Sequence, residues 1–223
     1  MARNIRKSSS VSRGKGSSIK PKIKIIAYCE GKNTEPEFLK SFSLIHGNGL
    51  IKIECVGAAG VPVTIVNTCA EKIRELNKIA KKSNEPLDND YQVWAVFDRD
   101  EHHNVEAAIE KARANNIKVA FSNPCFEIWP YLHFDNQTAP IHRLDMQKKL
   151  EGVLEGYDHK RSKTVCAKKI HETGNYEKAK RRAIDMIAQH EQVGIMKVDM
   201  NPSTNAHELL DLIIKNGRRK TSK

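Results

Sequence analysis

The feature that most constrains the fold is a mostly apolar run, YQVWAVF at residues 91–97, that ends on the acids of Asp98-Arg99-Asp100. A strand that is apolar on both faces fits the centre of a sheet that is covered on both sides. Three further runs have a similar character and are followed by polar or glycine-containing segments: residues 22–29, 50–57 and 117–124. The sequence therefore predicts four buried strands.

Segments with helical periodicity separate these runs. Thr34-Glu35-Pro36-Glu37 predicts a helix start, with Thr34 as N-cap and Glu37 completing a capping box. Residues 61–82 and 105–116 predict two more helices. Alternating strands and helices indicate an α/β fold, a parallel sheet with helices on both faces. From about residue 134 the pattern is mainly helical, so we expect one domain over residues 21–214, with a core at 21–134 and a helical extension at 135–214.

The positive charge is concentrated at the two ends of the chain. Residues 1–20 carry six basic residues and no acid, and residues 215–223 carry five basic residues and no acid. Together they equal the formal net charge of +11, so the body between them is formally neutral. We predict a disordered basic tail at residues 1–20 and a second basic tail at 215–223. Such tails either hold phosphates without reading sequence or act as solubilising ends.

Several protein classes are disfavoured by composition. No run of 18 or more apolar residues is present, and the N-terminal segment lacks the apolar centre of a secretory signal. The five cysteines are far apart and form no C-x-x-C pair, which disfavours disulfides and a structural zinc site. We therefore expect a cytoplasmic protein with no membrane partner.

Acidic residues follow two of the predicted strands, at the edge where parallel sheets bind ligands. Glu30 follows the first strand, and Asp98 and Asp100 follow the third. Side chains at i and i+2 of an extended chain point the same way, and two adjacent carboxylates favour a hard divalent cation between them. We predict Mg²⁺, with Mn²⁺ as the alternative, on these three acids. The alternative is solvated loop acids, one of which caps the next helix.

The segment after the fourth strand holds another candidate. Ser122 or Asn123 followed by Pro124 is typical of a capped helix start. Glu127 is then either a first-turn acid favoured by the helix dipole or a catalytic carboxylate at the active edge of the sheet.

Basic residues near these acids are candidates for nucleic-acid binding. Lys32 and Arg99 flank the acids, His103 follows them, and Lys160, Arg161 and Lys163 belong to the densest basic run of the body. They could neutralise phosphate charge, whereas the alternative is a solvated loop and a solvated helix face.

The order and spacing of several blocks resemble the RloB-like family, also called the AbiL second component. The blocks are Tyr28-Cys29-Glu30-Gly31 with Thr34-Glu35-Pro36, Val96-Phe97-Asp98-Arg99-Asp100, Ser122-Asn123-Pro124-Cys125-Phe126-Glu127-Ile128-Trp129, His133-Phe134, Tyr157-x-x-Lys160 and Asn201-Pro202-Ser203-Thr204. The resemblance covers roughly residues 22–214 and is carried by the combination rather than by any one block. Pro130 departs from the apolar residue usual in the helix after Glu127.

This resemblance implies a Toprim-like fold, in which a Glu after the first strand and a D-x-D after a later strand hold Mg²⁺ for chemistry on nucleic acid. Carried over, Glu30 is the candidate general base or acid, and Asp98 and Asp100 are the metal ligands. The resemblance also implies a place beside restriction-modification or abortive-infection genes, with an ATPase partner that holds the nuclease in check.

The sequence thus predicts an enzyme, a Mg²⁺-dependent nuclease that hydrolyses DNA or RNA, tRNA included, in anti-phage defence. The alternative is a non-catalytic nucleic-acid-binding or sensing subunit that acts through its ATPase partner and its basic tails. Assembly into a homo-oligomer is left open by the sequence.

Overall fold

Strands form where β-branched and aromatic residues cluster, and helices connect them. The computed structural model describes residues 20–99, 104–161 and 163–218. Its strands are β1 Ile23–Cys29, β2 Ile51–Val56, β3 Tyr91–Asp98, β4 Lys118–Asn123 and β5 Ser203–Thr204. Its helices are α1 Thr34–His46, α2 Pro62–Ala80, α3 Pro86–Asn89, α4 Val105–Ala114, α5 Ile128–Leu132, α6 Arg143–Val153, α7 Ala167–Thr173, α8 Tyr176–Gln192 and α9 Ala206–Gly217.

The five strands form one sheet in the order β2-β1-β3-β4-β5. Strands β1 to β4 are parallel, and β5 pairs antiparallel with β4. The chain passes from β1 to one neighbour, β2, and then returns to the other neighbour, β3. Adjacent parallel strands whose connections leave in opposite directions create a crevice at their carboxyl ends. The junction of β1 and β3 is therefore where the topology favours a binding site.

Apolar side chains cover both faces of the sheet, which confirms the predicted α/β class. Ile25 and Ala27 of β1 belong to a core with α1 and the helical extension, while Ile26 lies in a second core with α2 and α4. Trp129 of α5 is fully buried in the first core. Because Met146 and Leu150 of α6 share this core, residues 135–214 pack as part of the same hydrophobic unit. Helix α9 continues to Gly217, so its last turn includes the basic residue Lys215.

Two predicted helix starts differ from the structure. Thr34 is the first helical residue rather than the N-cap, and its Oγ1 donates to the Lys163 carbonyl at 2.8 Å. Ser122 and Asn123 do not cap a helix, because they pair with Thr204 and Ser203 as the last residues of β4. Strand pairing with a segment 80 residues away in the chain thus overrides the local capping signal.

Strand β5 was not predicted, and it closes the outer edge of β4. The side chain of Asn205 continues the pairing that the two residues of β5 begin. Its Oδ1 accepts from the Phe121 N–H at 2.7 Å, and its Nδ2 donates to the Val119 carbonyl at 2.9 Å. A side-chain amide thereby satisfies backbone groups that would otherwise be an unpaired sheet edge.

Among the described helices, none combines the length and apolar character that a membrane span requires.

Replacing Asn205 with Ala should destabilise the protein because it leaves both the Phe121 N–H and the Val119 carbonyl without their partner. We expect the free energy of unfolding to fall by about 1–3 kcal/mol, measured by urea denaturation. Asn115→Ala is the matched control, since the exposed Asn115 side chain donates only to the Lys111 carbonyl of its own helix. Equal effects of the two substitutions would contradict this role for Asn205.

Candidate active site

The carboxyl ends of β1 and β3 bring Glu30 and Asp98 together. These strands are hydrogen-bonded neighbours, and the Glu30 N–H donates to the Val96 carbonyl at 2.9 Å. Glu30 Oε2 in turn accepts from the backbone N–H of Asp98 at 3.2 Å. Two acids that are 68 residues apart in the chain are thus held side by side by the register of the sheet.

Glu35 adds a third carboxylate that the sequence analysis treated only as part of a helix start. It lies in the first turn of α1 and is buried, at 4% exposure. Its carboxylate accepts hydrogen bonds from its own backbone N–H and from that of Gly31. A Cβ atom at position 31 would overlap the Glu35 carboxylate, so glycine leaves the space that this carboxylate occupies. The turn after β1 is therefore shaped to admit this side chain.

Glu127 is a further buried carboxylate, and residues of the helical extension hold it. Its Oε1 accepts from the Tyr157 hydroxyl at 3.0 Å and from Nε2 of Gln147 at 3.1 Å. Glu127 immediately precedes α5. The side chain is thus fixed by two residues that are distant in sequence, and whether Glu127 is catalytic stays a prediction.

Burial and neighbouring negative charge raise the pKa of two of these acids, Asp98 and Glu35. Burial raises the pKa of Asp98 well above its ordinary value, and the negative charges of Glu35, Glu127 and Glu30 add to this effect. A hydrogen bond from the Phe126 N–H opposes the rise. Burial raises the pKa of Glu35 to about 7, and the charges of Glu127 and Glu30 contribute. Carboxylates that repel one another in a buried site create a demand for positive charge.

A cleft of about 450 Å³, here called the acidic cleft, opens onto three of these acids. Glu35, Asp98 and Glu127 form its floor. Five basic residues line the same cleft and are called the basic rim: Lys32, Arg143, Lys160, Arg161 and Lys163. The structure therefore places four of the six predicted nucleic-acid-binding residues around the predicted acids.

Hydrogen bonds hold the rim in place. Asp158 Oδ1 accepts from the backbone N–H groups of Lys160 and Arg161, at 2.8 and 2.9 Å. The bond from Thr34 Oγ1 to the Lys163 carbonyl ties the same loop to the helix that carries Glu35. A side-chain-to-backbone hydrogen bond thus couples the basic loop to the helix of the acidic floor, although the two are far apart in sequence.

Three other predicted site residues are not among the described residues that line the acidic cleft. Arg99 lines a neighbouring cleft, where its Nη2 lies 3.6 Å from Oδ1 of Asp199. Asp100 and His103 lie outside the described residues.

The chemistry of the donor set fits a hard divalent cation, since carboxylate oxygens are the ligands that Mg²⁺ and Mn²⁺ prefer. Their mutual repulsion is the observation that favours a cation here. Within residues 20–99, 104–161 and 163–218, however, no three His, Cys, Asp or Glu side chains are arranged as a complete ligand set. Glu30 and Glu127 instead direct an oxygen at protein donors.

The family model for RloB-like proteins matches residues 25–213, which is most of the 223-residue chain. The chain belongs to the RloB-like protein family. No curated protein and no solved structure matches it at a significant level. The match spans every residue of the acidic cleft, so the floor and the rim both lie within the family region.

Sequence reasoning missed two charged residues of the cleft. A signal for Glu35 was available, because a first-turn acid of the helix after β1 must lie near the carboxyl edge of the sheet. Arg143 had no such signal, since it comes from α6, beyond the last parallel strand. Gln147 and Tyr157, which hold Glu127, come from that same region.

Replacing Glu35 with Gln should stabilise the metal-free protein above neutral pH. The folded protein holds the pKa of Glu35 at about 7, above its ordinary value of 4.5, so folded Glu35 binds a proton more readily than unfolded Glu35. The wild type therefore loses stability as pH rises from 4.5 to 7, and the variant lacks this loss. We expect a gain of about 1–3 kcal/mol at pH 8 and little difference at pH 4, measured by urea denaturation in EDTA.

The matched control is Glu37→Gln, which removes an exposed charge from the same helix and should change little at either pH. Destabilisation by Glu35→Gln at both pH values would show that Glu35 has a structural role instead.

Proposed function

We propose that the protein is a Mg²⁺-dependent nuclease that hydrolyses phosphodiester bonds in DNA or RNA. The observation that carries this proposal is the joining of a carboxylate floor and a basic rim in one cleft. A nucleic-acid backbone needs cationic side chains to hold its phosphates, and hydrolysis needs a cation and a base at the scissile phosphate. Cationic side chains that could hold phosphates and carboxylates that could hold a cation face the same space, which supports the proposal.

Asp98 and Glu30, together with Asp100, are the proposed ligands, and the bound ion would lower the pKa of a coordinated water and neutralise phosphate charge. The repulsion among Glu30, Glu35, Asp98 and Glu127 supports this assignment. Glu35 is a further candidate ligand or proton acceptor, because it shares the floor with Asp98.

The chain's own residues supply the rest of the chemistry. Lys160, Arg161 and Lys163 would bind the phosphates and orient one of them over the floor. Water adds to phosphorus, the bond to the leaving oxygen breaks, and Glu30 accepts the proton that the water gives up. The leaving oxygen takes up a proton from solvent. Tyr157 and Gln147 position Glu127 throughout, since they bond its carboxylate.

Membership of the RloB-like family supports a role in abortive-infection or anti-phage defence. We propose that the protein has a Toprim-like core and acts with an ATPase partner that restrains the nuclease until infection. In the structure, Glu30 and Glu127 each direct an oxygen at a protein donor.

That same arrangement favours a second candidate function, a nucleic-acid-binding or sensing subunit without catalysis. In this case the basic rim would bind nucleic acid, and the negatively charged acids would limit how closely the phosphate backbone of the nucleic acid approaches the floor. The two candidates differ in whether purified protein cuts nucleic acid in Mg²⁺ or Mn²⁺.

Asp98→Asn should abolish metal-dependent cleavage, because it removes the charge of a proposed ligand while keeping the size of the side chain. We expect a loss of at least about 100-fold, measured on a panel of DNA, total RNA and tRNA with and without Mg²⁺ or Mn²⁺. Asp90→Asn is the control, since Asp90 is exposed and lies immediately before the other end of β3. Cleavage by the Asp98 variant at the wild-type rate would exclude the proposed site.

Replacing Lys160, Arg161 and Lys163 with Gln should weaken binding to nucleic acid of every sequence and reduce its salt dependence. The slope of log affinity against log salt should decrease by roughly two, because each lost phosphate contact removes about 0.7–0.9. Lys78, Lys81 and Lys82 give a matched triple control, because they are exposed near the end of α2. An equal decrease in both triple variants would place binding outside the basic rim.

A further inference from the structure

A second cleft, of about 1150 Å³, adjoins the acidic cleft. Arg143 lines both clefts, so the two spaces meet at this side chain. A phosphate held by the basic rim would have its neighbouring nucleotide close to this opening. The second cleft therefore lies where a polynucleotide chain would continue from the acidic cleft.

One wall of the second cleft carries apolar side chains, some of them exposed. Pro124, Pro140, Ile141 and Leu144 line it, and Leu144 is 52% exposed. Apolar side chains at the mouth of a polar site are typical of pockets that bind a flat organic ring, because the ring covers them from water.

Hydrogen bonds fix this wall before any ligand arrives. Asn201 Oδ1 accepts from the Ile141 N–H, and Asn201 Nδ2 donates to the Ile141 carbonyl, both at 3.1 Å. The segment before α6 is thereby clamped to the segment before β5. A preformed wall lowers the ordering cost of binding.

Charged side chains also line the second cleft. Arg99 and Asp199 lie 3.6 Å apart there, with side-chain exposures of 34% and 50%. An arginine fork and a carboxylate are the groups that read the donor and acceptor pattern along the edge of a nucleobase. The cleft thus offers an apolar surface for the face of a base and polar groups for its edge.

We propose that the second cleft binds the base of an unpaired nucleotide adjacent to the phosphate in the acidic cleft, so that the substrate is single-stranded or locally unpaired nucleic acid. This inference rests on the proposed function and names its substrate class. A base inside a duplex has its faces covered by stacking and its edge paired, so only an unpaired or extruded base can enter. Ligand pockets usually measure about 300–1,000 Å³, so this cleft has room for a nucleotide.

Binding is tested first, in the full chain carrying Asp98→Asn to prevent cleavage. Fluorescence anisotropy compares a labelled 20-nucleotide single strand, as DNA and as RNA, with the blunt duplex of the same sequence. We expect the single strand to bind more tightly than the duplex. Leu144→Ala should weaken single-strand binding about fivefold and leave duplex binding unchanged, because it removes apolar surface without changing charge.

Leu44→Ala is the matched control, since Leu44 is 84% exposed on α1 and lines neither cleft. Equal binding of single strand and duplex, or an equal effect of Leu144→Ala on both, would overturn the inference. Weaker single-strand binding by the Leu44 variant as well would overturn it too.

Cleavage by wild-type protein separates this inference from the proposed function. Abasic sites are placed one position at a time in a single strand that the protein cuts in Mg²⁺, and loss of cutting at one position beside the cut supports the base pocket. If abasic sites have no effect on cutting, the proposed base pocket is overturned and the proposed nuclease activity is retained. Absence of cutting, combined with selective single-strand binding that Leu144→Ala reduces, refutes the nuclease and retains the pocket.

Discussion

Mutual repulsion among buried carboxylates at the junction of β1 and β3 is the constraint on which the candidate site depends. Glu30 and Asp98 meet there because neighbouring parallel strands end at one edge, and Glu35 and Glu127 approach from either side. The neighbouring charges raise the pKa of Asp98 and of Glu35, so the ionised state of these two acids is less favourable. Ionising Asp98 and Glu35 in this setting costs stability, and a functional demand for negative charge is the physical reason to retain them.

The helical extension supplies what the α/β core lacks. The core provides the acids, whereas the extension provides Arg143, Lys160, Arg161 and Lys163, together with Tyr157 and Gln147, which fix Glu127. Because the extension packs into the same hydrophobic core as α1, the positions of floor and rim are set by one folding unit. Although the body of the chain is formally neutral, its acidic floor and its basic rim are therefore two distinct groups of opposite charge within one cleft.

The two adjoining clefts suit different parts of a bound nucleic-acid strand. The acidic cleft is polar and charged, which suits a phosphate, while the second cleft combines apolar and polar walls, which suits a base. Arg143 stands between them, where a cation can contact the backbone that joins the two. Recognition of single strands rests on this pairing of backbone electrostatics with ring contacts.

The sequence by itself determined the four parallel strands, their helical connections and the position of Glu30 and Asp98 at strand ends, because hydrophobic runs and their polar ends are local properties. It also placed Lys32, Lys160, Arg161 and Lys163 among the candidates, although their meeting around one cleft was not visible. Only the tertiary structure decided that Glu35 is buried in the floor, that Ser122 and Asn123 pair with β5, and that Arg99 faces Asp199 in a different cleft. Those outcomes depend on contacts between residues far apart in the chain, which packing sets and local propensity does not encode.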